Sequence, residues 1–249
     1  MARLNELAED FYVAESAIRF YGVRLRTRMA VVRFSDERLF VYSPVFLEPA
    51  IREELDALGR VSFIVSPNKI HNQTLAEYQL AYPDAQLFAP PGLPERRPDL
   101  RFASVLNETT EEVWESELDQ TLTGGNLFFS EALFLHRSSG TLLVGDFVEN
   151  IGPGDASSAA LLLARLFGVR PRPMASPEFR YYTHDEDAAR SSLAVARGWD
   201  FERIFLCHGA LVDENAAAVF DQVCEELLAT TRRRSAFSRW ATSRLAAFQ

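Results

Sequence analysis

The chain has 249 residues, 47% of them hydrophobic, and a net charge of −9, with a pI near 5.1. The length allows one large domain or two small ones, and the negative charge argues against a general affinity for nucleic acid or anionic membranes. No apolar stretch approaches the roughly 20 residues of a membrane helix, residues 1–10 do not resemble a signal peptide, and two cysteines are too few for a disulfide framework, so we expect a cytoplasmic protein.

The first half of the chain alternates between strand and helix patterns. In chain order, it predicts a strand (11–20), a hairpin (29–34 and 39–42), a helix (49–58), a strand (61–66), a helix (73–81) and a strand (85–89). Gly59 is expected to end the first helix. The segment 90–99 contains four prolines and a glycine and is predicted to be a surface loop.

The second half repeats this theme. It predicts strands (118–122, 131–136 and 141–145), a helix (156–167), an irregular segment (169–177), a helix (185–197), a strand (201–207) and two helices (213–230 and 232–248). Strands followed by strands mixed with helices, twice over, suit two sheets packed face to face with helices outside. The predicted fold is therefore a four-layer αββα sandwich, formed as a single domain over residues 1–249.

Three segments place a polar residue directly after an apolar run. They have the sequences VSPNKIH (65–71), LLVGD (142–146) and IFLCHG (204–209). Ligand sites in layered α/β proteins are built where strands end, so we expect these segments to meet at one site. Their polar residues are His71, Asp146 and His208.

In order and spacing, these segments resemble the metallo-β-lactamase fold superfamily over roughly residues 10–230. The similarity is to a branch in which the usual metal motif is replaced by a Pro-Asn-x-x-His sequence. The superfamily's His-x-His-x-Asp-His motif falls here on four residues, none of which is the family's type: Pro67, Lys69, His71 and Asn72. The three later ligand positions fall on Asn126, Asp146 and His208, of which the last two keep the family's residue type.

The number of histidines limits the metal content. A two-zinc site of this kind needs about five histidines and two carboxylates, whereas the chain has four histidines in all. We therefore expect no metal or one zinc or other transition-metal ion, and not two. The candidate ligands, which are also the candidate catalytic residues, are Asp146, His208 and His71.

Each candidate also has a structural interpretation. Asp146 is either a metal ligand or general base, or a carboxylate hydrogen-bonded to loop N–H groups. His208 is either a ligand or a buried structural partner of Asp146. Whichever role His208 has, we expect it to lie close to Asp146. Lys69 either places a cation in the site, where it neutralises Asp146 without metal, or is a solvated lysine. Asn68, a further candidate for ligand binding, is expected to act as a turn or cap residue.

Other residues are expected to be structural. Thr183 or Asp185 caps the helix that follows, which leaves His184 a minor candidate for the site. Strand alternation points Cys207 into the core. The basic run at 232–234 is expected to be a solvated helix face, and Phe237 and Trp240 packing anchors, at a homodimer contact if one exists.

Three functional hypotheses follow. The chain is a hydrolase with a single-metal centre, or a metal-free binding protein that uses a Lys/His/Asp cluster in the same cleft, or a pseudoenzyme whose fold serves as an interaction module. The expected ligand is a small molecule, and Lys69 favours an anionic one. No nucleic acid or membrane partner is expected.

Overall fold

The computed structural model describes residues 3–20, 23–166 and 168–246, with the side chains of 19, 20, 23, 24, 159, 160, 163 and 234–246 left out. The predictions for Phe237 and Trp240 fall on these side chains and so lie outside the described residues. None of the described helices combines the length and apolarity that crossing a bilayer requires.

The first sheet has seven strands in chain order. They are β1 (Asn5–Ala8), β2 (Phe11–Phe20), β3 (Val23–Arg33), β4 (Arg38–Tyr42), β5 (Arg60–Val65), β6 (Gln86–Ala89) and β7 (Ser104–Val105). Strands β1 to β4 pair antiparallel and β4 to β7 pair parallel. Parallel neighbours need a crossover, and α1 (Pro49–Leu58) and α2 (Leu75–Ala81) provide the first two, followed by α3 (Leu93–Arg96).

The second sheet has four strands in the order β13-β10-β9-β8. They are β8 (Leu118–Leu122), β9 (Ala132–His136), β10 (Thr141–Val144) and β13 (Arg203–Leu206). A separate two-stranded ladder joins β11 (Val148–Glu149) to β12 (Met174–Ala175). The helices of this half are α4 (Ser158–Leu166), α5 (Pro177–Tyr182), α6 (Glu186–Arg197) and α7 (Ala216–Ala246).

Three apolar clusters hold these layers together. The central one joins the facing sides of the two sheets, where the rings of Phe40 and Phe134 lie edge to face with centroids 5.1 Å apart. A second packs α1 and α2 onto the outer side of the first sheet, and a third packs α5, α6 and α7 onto the second sheet. The fold is therefore the predicted four-layer αββα sandwich.

Most predicted elements are present, and the differences have local causes. The two predicted C-terminal helices are one continuous helix, α7, because no glycine or proline interrupts 216–246. Helix α3 lies in the segment predicted to be a surface loop, and α5 begins at the last residue of the predicted irregular segment. Both carry proline in the first turn, where its missing N–H costs nothing. The short strands β1, β7, β11 and β12 were not predicted.

His136 ends β9 and is 1% exposed. Its ring nitrogens lie 2.8 Å from Ser139 Oγ and 3.0 Å from Ser138 Oγ. Burial lowers the pKa of His136 from 6.5 to about 4, although the negative charges of Glu117 and Asp10 oppose that shift. The neutral ring is therefore the form that the fold accommodates.

Because of this residue, we expect the free energy of unfolding to decrease as the pH is lowered. Between pH 6.5 and about 4 the unfolded chain protonates His136 and the folded chain does not, so stability is full above pH 6.5 and declines as pH falls through this window. The loss is on the order of 3 kcal/mol. Urea unfolding at pH 7, 5.5 and 4 should show a shallower decline for His136→Gln than for the wild type or for a variant of the exposed His184, His184→Gln. Parallel declines for all three proteins would contradict this.

Candidate metal centre

Three loops at one edge of the sandwich carry the predicted residues. Asp146 follows β10 and His208 follows β13, and these parallel neighbours end in register at Val144 and Leu206. His71 follows β5 of the other sheet. The loop after β5 is attached to the second sheet, because Ala132 N donates to the Pro67 carbonyl at 2.8 Å. Adjacent strand ends from both sheets thus meet here.

The side chains of His71, Asp146 and His208, hereafter the triad, converge on one point. His71 Nε2 lies 3.0 Å and His208 Nε2 3.2 Å from Asp146 Oδ1. All three candidate ligand atoms lie within 4.8 Å of one another. The prediction that Asp146 and His208 lie close together is confirmed.

The other nitrogen of each imidazole is bonded as well. His208 Nδ1 donates to the Arg26 carbonyl at 2.9 Å, which fixes the tautomer, and His71 Nδ1 lies 2.9 Å from Ser43 Oγ. Outer hydrogen bonds of this kind orient metal-binding histidines and raise their basicity. They leave both Nε2 atoms directed at Asp146.

Asn68 links the triad to a second carboxylate that the sequence reasoning missed. Its side-chain amide donates to Asp146 Oδ2 and to Glu131 Oε2, both at 2.9 Å, and its Oδ1 accepts from Ile70 N at 3.0 Å. Asn68 is therefore the turn residue that was predicted, and it also bridges two buried acids. Only Glu131's position directly before the apolar run 132–135 could have suggested burial.

Glu131 is fully buried and holds the loop that carries Asp146. Its carboxylate accepts the backbone N–H groups of Gly145 (2.9 Å), Asp146 (2.6 Å) and Phe147 (3.0 Å). Gly145 permits this approach, because a Cβ there would lie 2.7 Å from Pro67 Cβ and 2.9 Å from Glu131 Oε2. Every partner of Glu131 is a donor, which suits an ionised carboxylate.

A buried arginine fixes the His208 loop. Arg28 Nη1 donates to the carbonyls of Leu206 (2.8 Å) and Gly209 (2.7 Å), while its Nε donates to Glu15 Oε1 at 2.8 Å. Gly209 adopts φ +86°, and a Cβ there would meet the Asn150 backbone at 2.2 Å, so glycine is required at this turn. His208 is thus held by the first sheet as well as the second.

Asp146 and His208 stabilise each other's charged forms. Burial raises the pKa of Asp146, but the charge of His71 and the hydrogen bonds from His208 and His71 outweigh it and hold that pKa well below its usual range. Burial lowers the pKa of His208, and Asp146 reverses this and raises it to about 9. Burial and the charge of Asp146 raise the pKa of Glu131 to about 7.

Lys69 lies outside this network. Its Nζ is 5.0 Å from the centre of the Phe128 ring, in a cation–π contact, and it forms no ion pair with Asp146. The two histidines, and not a lysine, balance the charge of Asp146. Asn126 also points elsewhere, since its amide donates to Thr183 Oγ1 at 3.1 Å and to the Glu178 carbonyl at 3.2 Å.

The residues predicted to be structural behave accordingly. Asp185 caps α6 by accepting from Ala188 N at 3.0 Å, and His184 is exposed. Cys207 is buried in the central cluster, and burial raises the pKa of its thiol well above the usual value. On the predicted basic helix face, Arg232 pairs with Glu186 at 2.7 Å.

A cleft of about 80 Å³ opens beside the triad. Its walls combine apolar side chains with two further carboxyl groups: Ile18, Leu25, Pro44, Ile70, Glu149 and Glu178. A cavity of this size holds a few waters or one small chemical group, well below the roughly 300–1,000 Å³ of sites for drug-sized ligands.

The donor set fits one metal ion. Two imidazole nitrogens and one carboxylate oxygen suit zinc or a first-row metal such as iron, and three protein ligands beside an open cleft leave a position for water. Among the described residues, no second cluster of this kind exists.

Comparisons with known proteins agree with the fold. The family described as Domain of unknown function (DUF4336) matches residues 9–242, and no curated protein matches. Similar solved structures include the DIM-1 metallo-β-lactamase (13% identity, 90% of this chain and 97% of that one, TM-score 0.60) and FIM-1 from Pseudomonas aeruginosa in a mono-zinc form (11%, 91% and 96%, 0.60). The Flv1 flavodiiron core from Synechocystis sp. PCC6803 is also similar (10%, 92% and 61%, 0.63). At these identities the likeness shows the fold alone.

Proposed function

Since the chain belongs to the DUF4336 family and has the metallo-β-lactamase fold, we propose that it is a hydrolase with a single-metal centre formed by His71, Asp146 and His208. The observation that carries the proposal is the convergence of three donor atoms whose outer partners are already in place. The mono-zinc form of FIM-1 supports a one-metal arrangement in this fold.

The residues of the triad have different roles in this proposal. A zinc ion bound by the triad would lower the pKa of a coordinated water to about 7 and so supply hydroxide at neutral pH. Asp146 stays ionised and offers Oδ1, since Asn68 already occupies Oδ2. His208 must release its Nε2 proton before it can act as a ligand, while its Nδ1–H remains on the Arg26 carbonyl.

One observation favours a second candidate, a metal-free binding protein. Asp146 Oδ1 already lies within hydrogen-bond distance of both imidazoles, so the triad is satisfied as an ion-paired network. Such a network binds a small ligand or exchanges protons without a metal. Lys69 is not part of it, which separates this candidate from the Lys/His/Asp cluster that the sequence suggested.

Metal content distinguishes the two candidates. We expect elemental analysis of untagged protein, reconstituted with zinc and dialysed, to give about one ion per chain for the wild type and for His136→Gln, and almost none for His208→Gln. Hydrolysis of a small neutral ester such as ethyl butyrate should require the ion and be lost with a chelator. Two tightly held ions, or none, would overturn the single-metal centre. One ion without hydrolysis of any small ester or amide would overturn the catalytic part.

A further inference from the structure

Apart from the triad itself, the described lining of the cleft carries two acids and neither lysine nor arginine. The two acids are Glu149 and Glu178. The expectation of an anionic ligand depended on Lys69, whose ammonium lies over Phe128 instead. Arg28 is likewise directed at Glu15 and at backbone carbonyls.

The two buried carboxylates at the centre would add no net charge to the cleft once a divalent ion is bound. Asp146 and Glu131, joined through Asn68, together match the two positive charges of a divalent ion. Histidine ligands are neutral when bound to a metal. Glu149 and Glu178 are therefore two further acids of the wall that are not needed to balance the charge of such an ion.

The ionisation of these two acids depends on the centre. Burial raises the pKa of Glu149 to about 8 and raises that of Glu178, while the positive charge of His208 lowers both. Arg180 also lowers the pKa of Glu149, although it does not line the cleft. A divalent ion at the triad would replace the single positive charge of His208 by a larger one, so an occupied centre would favour two carboxylates facing the incoming ligand.

We infer that the cleft accepts small substrates whose group beside the centre is uncharged or positively charged, and that Glu149 and Glu178 are specificity-determining residues that exclude anions. This inference rests on the proposed single-metal hydrolase. The repulsion is short-range and acts in a small, partly apolar space, where like charges weaken binding severalfold to a hundredfold.

Three amides of similar size test the inference by binding alone. They are butanamide (neutral), succinamate (anionic) and 4-aminobutanamide (cationic), titrated calorimetrically into the zinc-loaded chain. We expect the neutral and cationic amides to bind at least about tenfold more tightly than succinamate. The matching ethyl esters should show the same order in kcat/KM. Equal binding, a preference for succinamate, or no binding of any of the three would overturn the inference.

Substitutions identify the residues responsible. Glu149→Gln and Glu178→Gln should each raise the affinity for succinamate relative to butanamide, and the double variant should raise this ratio by about tenfold. Glu202→Gln, which removes an exposed charge near the opposite end of β13, should leave the ratio unchanged. An unchanged ratio in the double variant would contradict the role of these acids while leaving a measured zinc stoichiometry of one intact. A chain that binds no metal removes the proposed function itself, and this inference with it.

Discussion

Replacing Glu131 by alanine is expected to lower the free energy of unfolding by about 4 kcal/mol or more. The change leaves the N–H groups of Gly145, Asp146 and Phe147, and one N–H of Asn68, without their acceptor inside the protein. Each unsatisfied buried donor costs roughly 1–3 kcal/mol, and these costs are not simply additive. Urea unfolding at pH 7 measures the loss.

A second variant keeps this prediction testable if the alanine variant does not fold. Glu131→Gln has nearly the same shape but one acceptor oxygen in place of two, so we expect a smaller loss, on the order of 2 kcal/mol. Glu53→Ala, at an exposed position of α1, provides the control and should change stability by less than about 0.5 kcal/mol. A loss of less than 1 kcal/mol for Glu131→Ala would show that the carboxylate does not organise this loop.

Zinc is expected to stabilise the wild type and not Asp146→Ala. A ligand present at 100 times its Kd stabilises a fold by about 2.7 kcal/mol. At roughly 2–4 °C per kcal/mol for a chain of this size, the melting temperature should rise by about 5–10 °C. Asp146→Ala removes the only carboxylate of the triad, so its melting temperature should not respond to zinc. Asp200→Asn, an exposed control with the same change in charge, should respond as the wild type does.

The same melts without zinc test whether Asp146 also stabilises the fold. Its removal leaves Asn68 and both imidazoles short of an acceptor, which should cost roughly 1–3 kcal/mol. Destabilisation with no zinc response in either protein would favour the metal-free network. No change in any of these melts would mean that Asp146 has no central role.

The sequence was most informative where an apolar run ends in a polar residue. Strand ends are recognisable locally, so His71, Asp146 and His208 could be predicted, and their convergence follows from the fold. Glu131 and Arg28 could not be predicted in this way. Glu131 bonds residues 14 to 16 positions ahead and Asn68, 63 positions away, and Arg28 bonds carbonyls 178 and 181 positions away. Such partners depend on the three-dimensional arrangement of the chain.

The role of Lys69 could not be decided from the sequence. Its position allowed either a cation in the site or a solvated lysine, because strand and turn patterns do not tell in which direction a long side chain points. The Phe128 ring, which contacts the Lys69 ammonium, lies in a loop without a recognisable sequence pattern. The α5 helix was missed for a related reason, because prolines near 171–177 look irregular even though Pro177 begins a helix.

The loop over 145–147 has a consequence for dynamics. Loop amides usually exchange their hydrogens with solvent quickly, because water reaches them in small local openings. Here three successive amides donate to a fully buried carboxylate that is also linked to the loop after β5. Their exchange therefore requires the buried network that joins the start of β9, the end of β10 and the loop after β5 to open as a unit. In deuterium, these amides should exchange as slowly as those in the centre of β9 and β10, which would make them reporters of whole-domain opening within a segment that has no regular secondary structure.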